Sequence, residues 1–162
     1  MKVIIIGAST TGKTTIIKHL AEELSFPIQE SDDVLTSLNG GTYPLDSRLK
    51  REVLTPTMVN LVLNQQEIIF FTNAHYFNVA NLVTAKKSGF KIILLTLTKE
   101  KMLSRNEKRI KDEGYDDLEQ YFDNMLLYQQ EIIKAGMVDE VIDVDKSLVE
   151  VLAQIKQIVG NI

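Results

Sequence analysis

Directly behind the apolar run Val3–Ile6 come Gly7 and Gly12, five residues apart, then Lys13, Thr14 and Thr15. A β-branched run unbroken by polar residues reads as a strand buried on both faces, and such strands belong to parallel sheets. Residues 12–24 then place Ile16, Ile17, Leu20 and Leu24 at helical spacing. The segment between is a strand-to-helix turn of the pattern G-x-x-x-x-G-K-[ST]. Its glycines permit backbone angles that a Cβ obstructs. The N–H groups of Gly7, Ala8, Ser9, Thr10, Thr11, Gly12, Lys13, Thr14 and Thr15 can then converge on an anion at a helix N-terminus. The expected ligand is a nucleoside triphosphate, with Lys13 on its β- and γ-phosphates and the Thr14 hydroxyl on Mg²⁺.

The rest of the chain repeats the alternation. Strands are expected at 26–30, with Pro27 confining the strand to an edge or a start, and at 67–71, 90–97 and 139–144. Helices are expected over "DDVLTSL", over 47–65 with a kink at Pro56, over 78–87 before Gly89, over 99–135 and over 148–159. "NGGTYP" at 39–44 reads as a loop. Five strands alternating with helices predict an α/β, three-layer arrangement, and ligands in such sheets sit beyond the carboxyl ends of the strands.

The chain has 162 residues, enough for one domain, with 44% hydrophobic and 25% charged residues. It has no cysteine, which excludes disulfides and thiolate metal sites and favours a reducing, cytoplasmic setting. No apolar run approaches membrane-spanning length. A net charge of −4 disfavours extended nucleic-acid binding, which relies on many Lys and Arg, but leaves room for gripping a single phosphate.

"GASTTGKTT…LAEELSFPIQESDD" resembles the start of the small P-loop kinases of the adenylate kinase-like group, which includes shikimate, gluconate, nucleoside-monophosphate and 5′-hydroxyl polynucleotide kinases. "LLTLTKEKMLSRNEKR" at 94–109 is similar to the strand and arginine-bearing lid helix of that group. "SDDV" and "RNEKR" look nearest to the polynucleotide kinase-like branch. The resemblance implies a single P-loop kinase domain over 1–162, with a short helical lid at about 104–120 and acceptor-binding helices at about 32–65. It also implies ATP and Mg²⁺ as cofactors and a small acceptor, a nucleoside, nucleotide or other hydroxyl-bearing metabolite, as partner, in a monomer or homodimer. The N-K-x-D and D-x-x-G signals of a GTPase are missing, and "FFTN" ends strand three where a motor ATPase carries an acid.

Asp32 and Asp33 follow strand two beside the phosphate loop, where a carboxylate can position a hydroxyl and accept its proton. The resemblance favours Asp33 as base and leaves Asp32 for the metal; a helix N-cap is the plainer use of both. The chain's four arginines form two helical pairs, Arg48/Arg51 and Arg105/Arg109. The second pair matches the family's lid arginines, which close on the triphosphate. The first falls where its acceptor-binding helix lies. Either pair could instead be a solvated partnership with Glu52 or Glu107. "TNAHYF" at 72–77 follows strand three and faces the site, so Asn73, His75 and Tyr76 are each candidates to contact the acceptor, although a lone His is more often structural. Two other functions fit the same residues: a non-catalytic nucleotide-binding module, and a kinase of nucleic-acid 5′-hydroxyl ends.

Overall fold

The computed structural model describes residues 1–160. Five strands, β1 (Lys2–Gly7), β2 (Ile28–Glu30), β3 (Ile68–Thr72), β4 (Lys91–Thr96) and β5 (Glu140–Asp143), form one sheet in the order β2-β3-β1-β4-β5. Every pairing is parallel. The central strand β1 lies in register with β3 through Ile4↔Phe70 and with β4 through Ile4↔Ile92.

Side-chain alternation divides these strands between two cores. Val3, Ile5, Ile69, Phe71, Ile93 and Leu95 face one way and pack on α1 (Lys13–Glu23), through Ile16 and Leu20, and on α8 (Leu148–Gly160), through Val151 and Ile155. Ile4, Ile6, Phe70, Ile92 and Leu94 face the other way. They meet Leu35 of α2 (Ser31–Leu38), Met58 and Val62 of α4 (Thr55–Leu63), and Leu82 of α5 (Val79–Lys87). This is the expected three-layer architecture. Fully burying one such side chain contributes about 1.5–3 kcal/mol.

Three local outcomes depart from the expected elements. The kink assigned to Pro56 is a widening one turn earlier: α3 (Ser47–Leu49) runs into a π-helical turn at Lys50–Leu54 before α4 begins. Thr55 N–H donates five residues back to the Lys50 carbonyl. Pro56 has no N–H to continue a four-residue ladder, so the helix absorbs the loss as a wider turn rather than a break. The expected helix over 99–135 is two helices, α6 (Lys99–Glu113) and α7 (Glu119–Lys134). Gly114, at φ 68°, caps the first. Asn106 then holds the turn: its side chain is buried, donates to Asp117 Oδ1 at 2.7 Å and accepts from Leu118 N–H at 3.3 Å. The first edge strand starts at Ile28, just after Pro27. Among the described residues, no helix is long and apolar enough to cross a membrane.

The connections from β1 and β3 reach opposite sides of the sheet, so the carboxyl end of β1 sits where the strand order reverses. The segment from Gly7 to Thr15 occupies that point.

Candidate active site

The loop between β1 and α1 is held in an unusual backbone shape. Thr10 and Gly12 have φ of 70° and 81°, and such reversals turn successive amides toward a common centre. The Thr11 hydroxyl is buried and donates to the Ala8 carbonyl at 2.7 Å, closing the loop from beneath. Gly12, the N-cap of α1, provides no side-chain hydrogen bond, so the first-turn amides of α1 keep their capacity for an anion. The Thr10 hydroxyl is also buried without a partner.

Lys13 is 7% exposed and folds back over its own loop. Its Nζ donates to the carbonyls of Gly7 at 3.0 Å and Ala8 at 3.2 Å. Burial lowers its pKa from 10.5 to about 8, against the opposing pull of Glu30 and then Asp32; Arg109 lowers it further. A buried ammonium satisfied only by carbonyls is poised for a stronger anionic partner.

A cleft of about 570 Å³ opens above this loop. Ser9, Thr10, Gly12, Lys13, Thr14 and Thr15 form its floor, Glu30, Asp32 and Asn73 one wall, and Arg105 and Arg109 of α6 the other. Burial raises the pKa of both carboxylic acids, with Lys13 opposing in each case. Asn73 Nδ2 donates to Asp32 Oδ1 at 3.3 Å. Behind Asn73, the Tyr76 and Tyr43 hydroxyls lie 3.3 Å apart, and Lys50 Nζ reaches the Tyr43 oxygen at 3.4 Å. Burial pushes the Tyr76 phenol well above its usual range. A polar chain therefore runs from Asp32 through Asn73 and the two tyrosines to the π-helical turn.

The two α6 arginines differ in setting. Arg105 donates to the Thr10 carbonyl at 3.1 Å and to the Val144 carbonyl at 2.8 Å, so it braces the phosphate loop against the end of β5. Arg109 makes no such bond and lies over the Tyr115 ring, 4.1 Å from its centroid. It is the guanidinium with freedom to turn inward.

The loop, Asp32, Asn73, Arg105 and Arg109 come together on one cleft; Gly7, Ala8 and Thr11 lie beneath its floor. Asp33 is on the exposed face of α2 and does not line the cleft. Consecutive helical residues point about 100° apart, so only one of the pair can face inward. Arg48 and Arg51 also stay outside: their side chains are 84% and 80% exposed and both turn to Glu52, at 3.0 and 3.7 Å. Glu30 was missed from sequence. Its signal was the two-residue spacing Glu30–Asp32 across the strand end, which puts both carboxylates on the same side of Ser31.

Mg²⁺ is a hard cation usually held by one or two carboxylates together with substrate oxygens. Thr14, Glu30 and Asp32 all line the cleft, and their hydroxyl and carboxylate oxygens are the donor types it takes.

No protein-family model matches this sequence, and no curated protein does. Solved structures match its shape. Shikimate kinase from Aquifex aeolicus vf5 superposes with a TM-score of 0.74 at 16% identity, over 99% of this chain and 97% of that one. Shikimate kinase from Acinetobacter baumannii, in complex with shikimate, gives 0.73 at 20% identity over 99% and 93%. A gluconokinase from Sinorhizobium meliloti 1021 gives 0.61 at 15% identity over 98% and 95%. The likeness to the polynucleotide kinase-like branch is thus one of short motifs, while the structural matches named here are to shikimate and gluconate kinases. The chain has the fold of the small P-loop kinases of the adenylate kinase-like group.

Proposed function

We propose that the protein is an ATP- and Mg²⁺-dependent kinase that phosphorylates a hydroxyl of a small acceptor. One observation carries the reading: a buried, carbonyl-bound Lys13 lies at the base of a cleft with acids on one wall and arginines on the other. Phosphoryl transfer needs little from a protein beyond positioning and charge stabilisation, and this arrangement supplies both.

The triphosphate lies along the loop from Ser9 to Thr15, and Lys13 leaves the Gly7 and Ala8 carbonyls to meet the γ-phosphate. Thr14, Glu30 and Asp32 would hold Mg²⁺, which would supply neutralising charge to the phosphate oxygens. Glu30 fills the place of the acid missing from the end of β3. Asp32, oriented by Asn73, positions the acceptor hydroxyl and takes its proton. The hydroxyl oxygen bonds to the γ-phosphorus as the bridging P–O bond breaks, its electron pair leaving with ADP. Arg109 swings from Tyr115 to cover the transferring group, and the segment at about 104–120 serves as the lid. Arg105 keeps the loop in shape beneath the nucleotide. Asp33, Arg48 and Arg51, expected from sequence at the base and acceptor positions, could contribute only after movement of α2 or of the helix at 47–54. The lack of cysteine supports a reducing, cytoplasmic compartment.

Incubation with γ-labelled ATP, Mg²⁺ and a panel of hydroxyl-bearing metabolites tests the reading. Label appears in an acceptor if it holds. Tight ATP binding with every acceptor unlabelled overturns it in favour of a non-catalytic nucleotide-binding module.

A further inference from the structure

Another cavity, of about 360 Å³, is built in part from two chain segments that also line the cleft. The loop after β3 gives Asn73 to the cleft and His75 to the cavity; the start of α7 brings Leu118 to the cleft and Tyr121 to the cavity. In chain terms the two linings are two and three residues apart.

Its lining is of one chemical type. Tyr121, Tyr128, His75 and Leu127 give it flat and apolar walls, and Asn124 and Glu131 stand among them. None of its seven lining residues is Lys or Arg. His75 adopts φ of 73°, costly for a residue with a Cβ, and its ring lies 4.9 Å from that of Tyr128. The loop is pinned there, since Tyr128 donates its hydroxyl proton to the Phe77 carbonyl at 2.5 Å. Tyr121 and Leu127 are 48% and 61% exposed, which leaves apolar surface uncovered.

Among the described residues, the cavity's own lining offers an anionic end no cation. A carboxylate or phosphate calls for a guanidinium fork or an ammonium; Lys50 reaches Tyr43 and Arg48 and Arg51 turn to Glu52, and none of the three lines the cavity. A flat uncharged ring suits the cavity: its faces meet aromatic walls, and its polar edge meets an amide that donates and accepts hydrogen bonds and a carboxylate that accepts them. The volume lies within the roughly 300–1,000 Å³ of small-molecule sites.

We infer that this cavity seats the non-reacting end of the acceptor, and that this end is an uncharged planar base, so that the acceptor is a nucleoside. The inference rests on the kinase reading and names its substrate class.

The test compares adenosine, cytidine and thymidine with ribose, gluconate and shikimate as acceptors, with ATP and Mg²⁺. Expected are a kcat/KM for at least one nucleoside about 10-fold or more above that for every other acceptor, and a rise of about 10-fold in its KM in Tyr121→Ala, as loss of one stacking face would give. His75→Gly, which removes the ring and relieves the backbone, raises the same KM, while kcat and the KM for ATP hold in both variants. Preference for gluconate or shikimate, or an unchanged nucleoside KM in both variants, overturns the inference and leaves the kinase standing. If nothing is phosphorylated, the kinase reading falls; nucleoside-induced NMR shifts at Tyr121 and Leu127 then decide the cavity alone, their presence sustaining its ligand and their absence removing it.

Discussion

Asn73 Nδ2 donates to Asp32 Oδ1 at 3.3 Å, tying the end of β3 to the first turn of α2 across 41 residues of sequence. The bond engages one oxygen of a carboxylate that lines the cleft. With Asp32 as base, as proposed, general-base assistance is worth about 10²–10⁴-fold in rate. Asp32→Asn therefore lowers kcat by a factor in that range with folding intact, as steady-state ADP release and thermal melting would report. Asp33→Asn, on the solvent face of α2, retains a rate near the parent. The reverse pattern would return the base to Asp33.

Lys13 carries a pH signature. Its pKa stands near 8 because burial disfavours the ammonium form, so about half of the free protein lacks this charge at pH 8. A bound triphosphate favours the charged form, and binding at pH 8 therefore takes up protons. Calorimetry in two buffers of different ionisation enthalpy measures that uptake, which Lys13→Met abolishes. The stability sign also follows. The unfolded chain binds more protons at this group between pH 8 and 10.5, so the folded state gains stability with rising pH across that window. Buried Tyr76 and Tyr128, whose phenols are raised, oppose the gain as pH passes 10.

The two α6 arginines should separate stability from turnover. Arg105→Ala strips the Thr10 and Val144 carbonyls of their donors, at a cost of about 1–3 kcal/mol. Each kcal/mol corresponds to about 2–4 °C in Tm at this chain length. Arg109→Ala loses only a surface contact with Tyr115 and melts near the parent temperature, yet kcat falls because the transferring phosphate loses its cover. Equal effects of the two substitutions on both readouts would refute the division.

Much of this was legible in the chain because it depends on local pattern. The run Val3–Ile6 and the Gly7–Thr15 motif gave β1, α1 and the phosphate floor, and strand–helix alternation gave the layers. Arg105 and Arg109 were legible as a pair because four-residue spacing fixes a common helical face. Their unequal settings were not, since these depend on the Thr10 and Val144 carbonyls, one of them 95 residues away. The choice between Asp32 and Asp33 depends on how α2 is rotated against Leu35 and the core, which no local signal carries. Arg48 and Arg51 were drawn to Glu52 by a helical contact visible in the spacing, but the spacing alone could not say which face met the cleft. The cavity beside α7 was hidden for the same reason: His75 and Tyr128 are neighbours only once β3 and α7 have packed.

Gly7 offers a prediction in which crowding and backbone strain can be told apart. A Cβ there would lie 2.6 Å from Thr11 Oγ1 and 3.4 Å from both Leu95 Cβ and Lys13 Cδ. The Thr11 hydroxyl cannot simply move off, because it is buried and donates to the Ala8 carbonyl at 2.7 Å. Gly7→Ala therefore opens the phosphate floor from below, costing about 1–3 kcal/mol as overpacking does and weakening nucleotide binding. Thr11→Ala removes the colliding oxygen, so the double variant is less destabilised than the sum of the singles; urea unfolding of all four proteins measures this coupling. Gly12 is the control. A Cβ on it meets open space, but its φ of 81° is left-handed, so Gly12→Ala costs about 1–2 kcal/mol through backbone strain alone. Thr11→Ala then gives no relief, and additive costs in the Gly7 cycle as well would show that the 2.6 Å approach is not what constrains the loop.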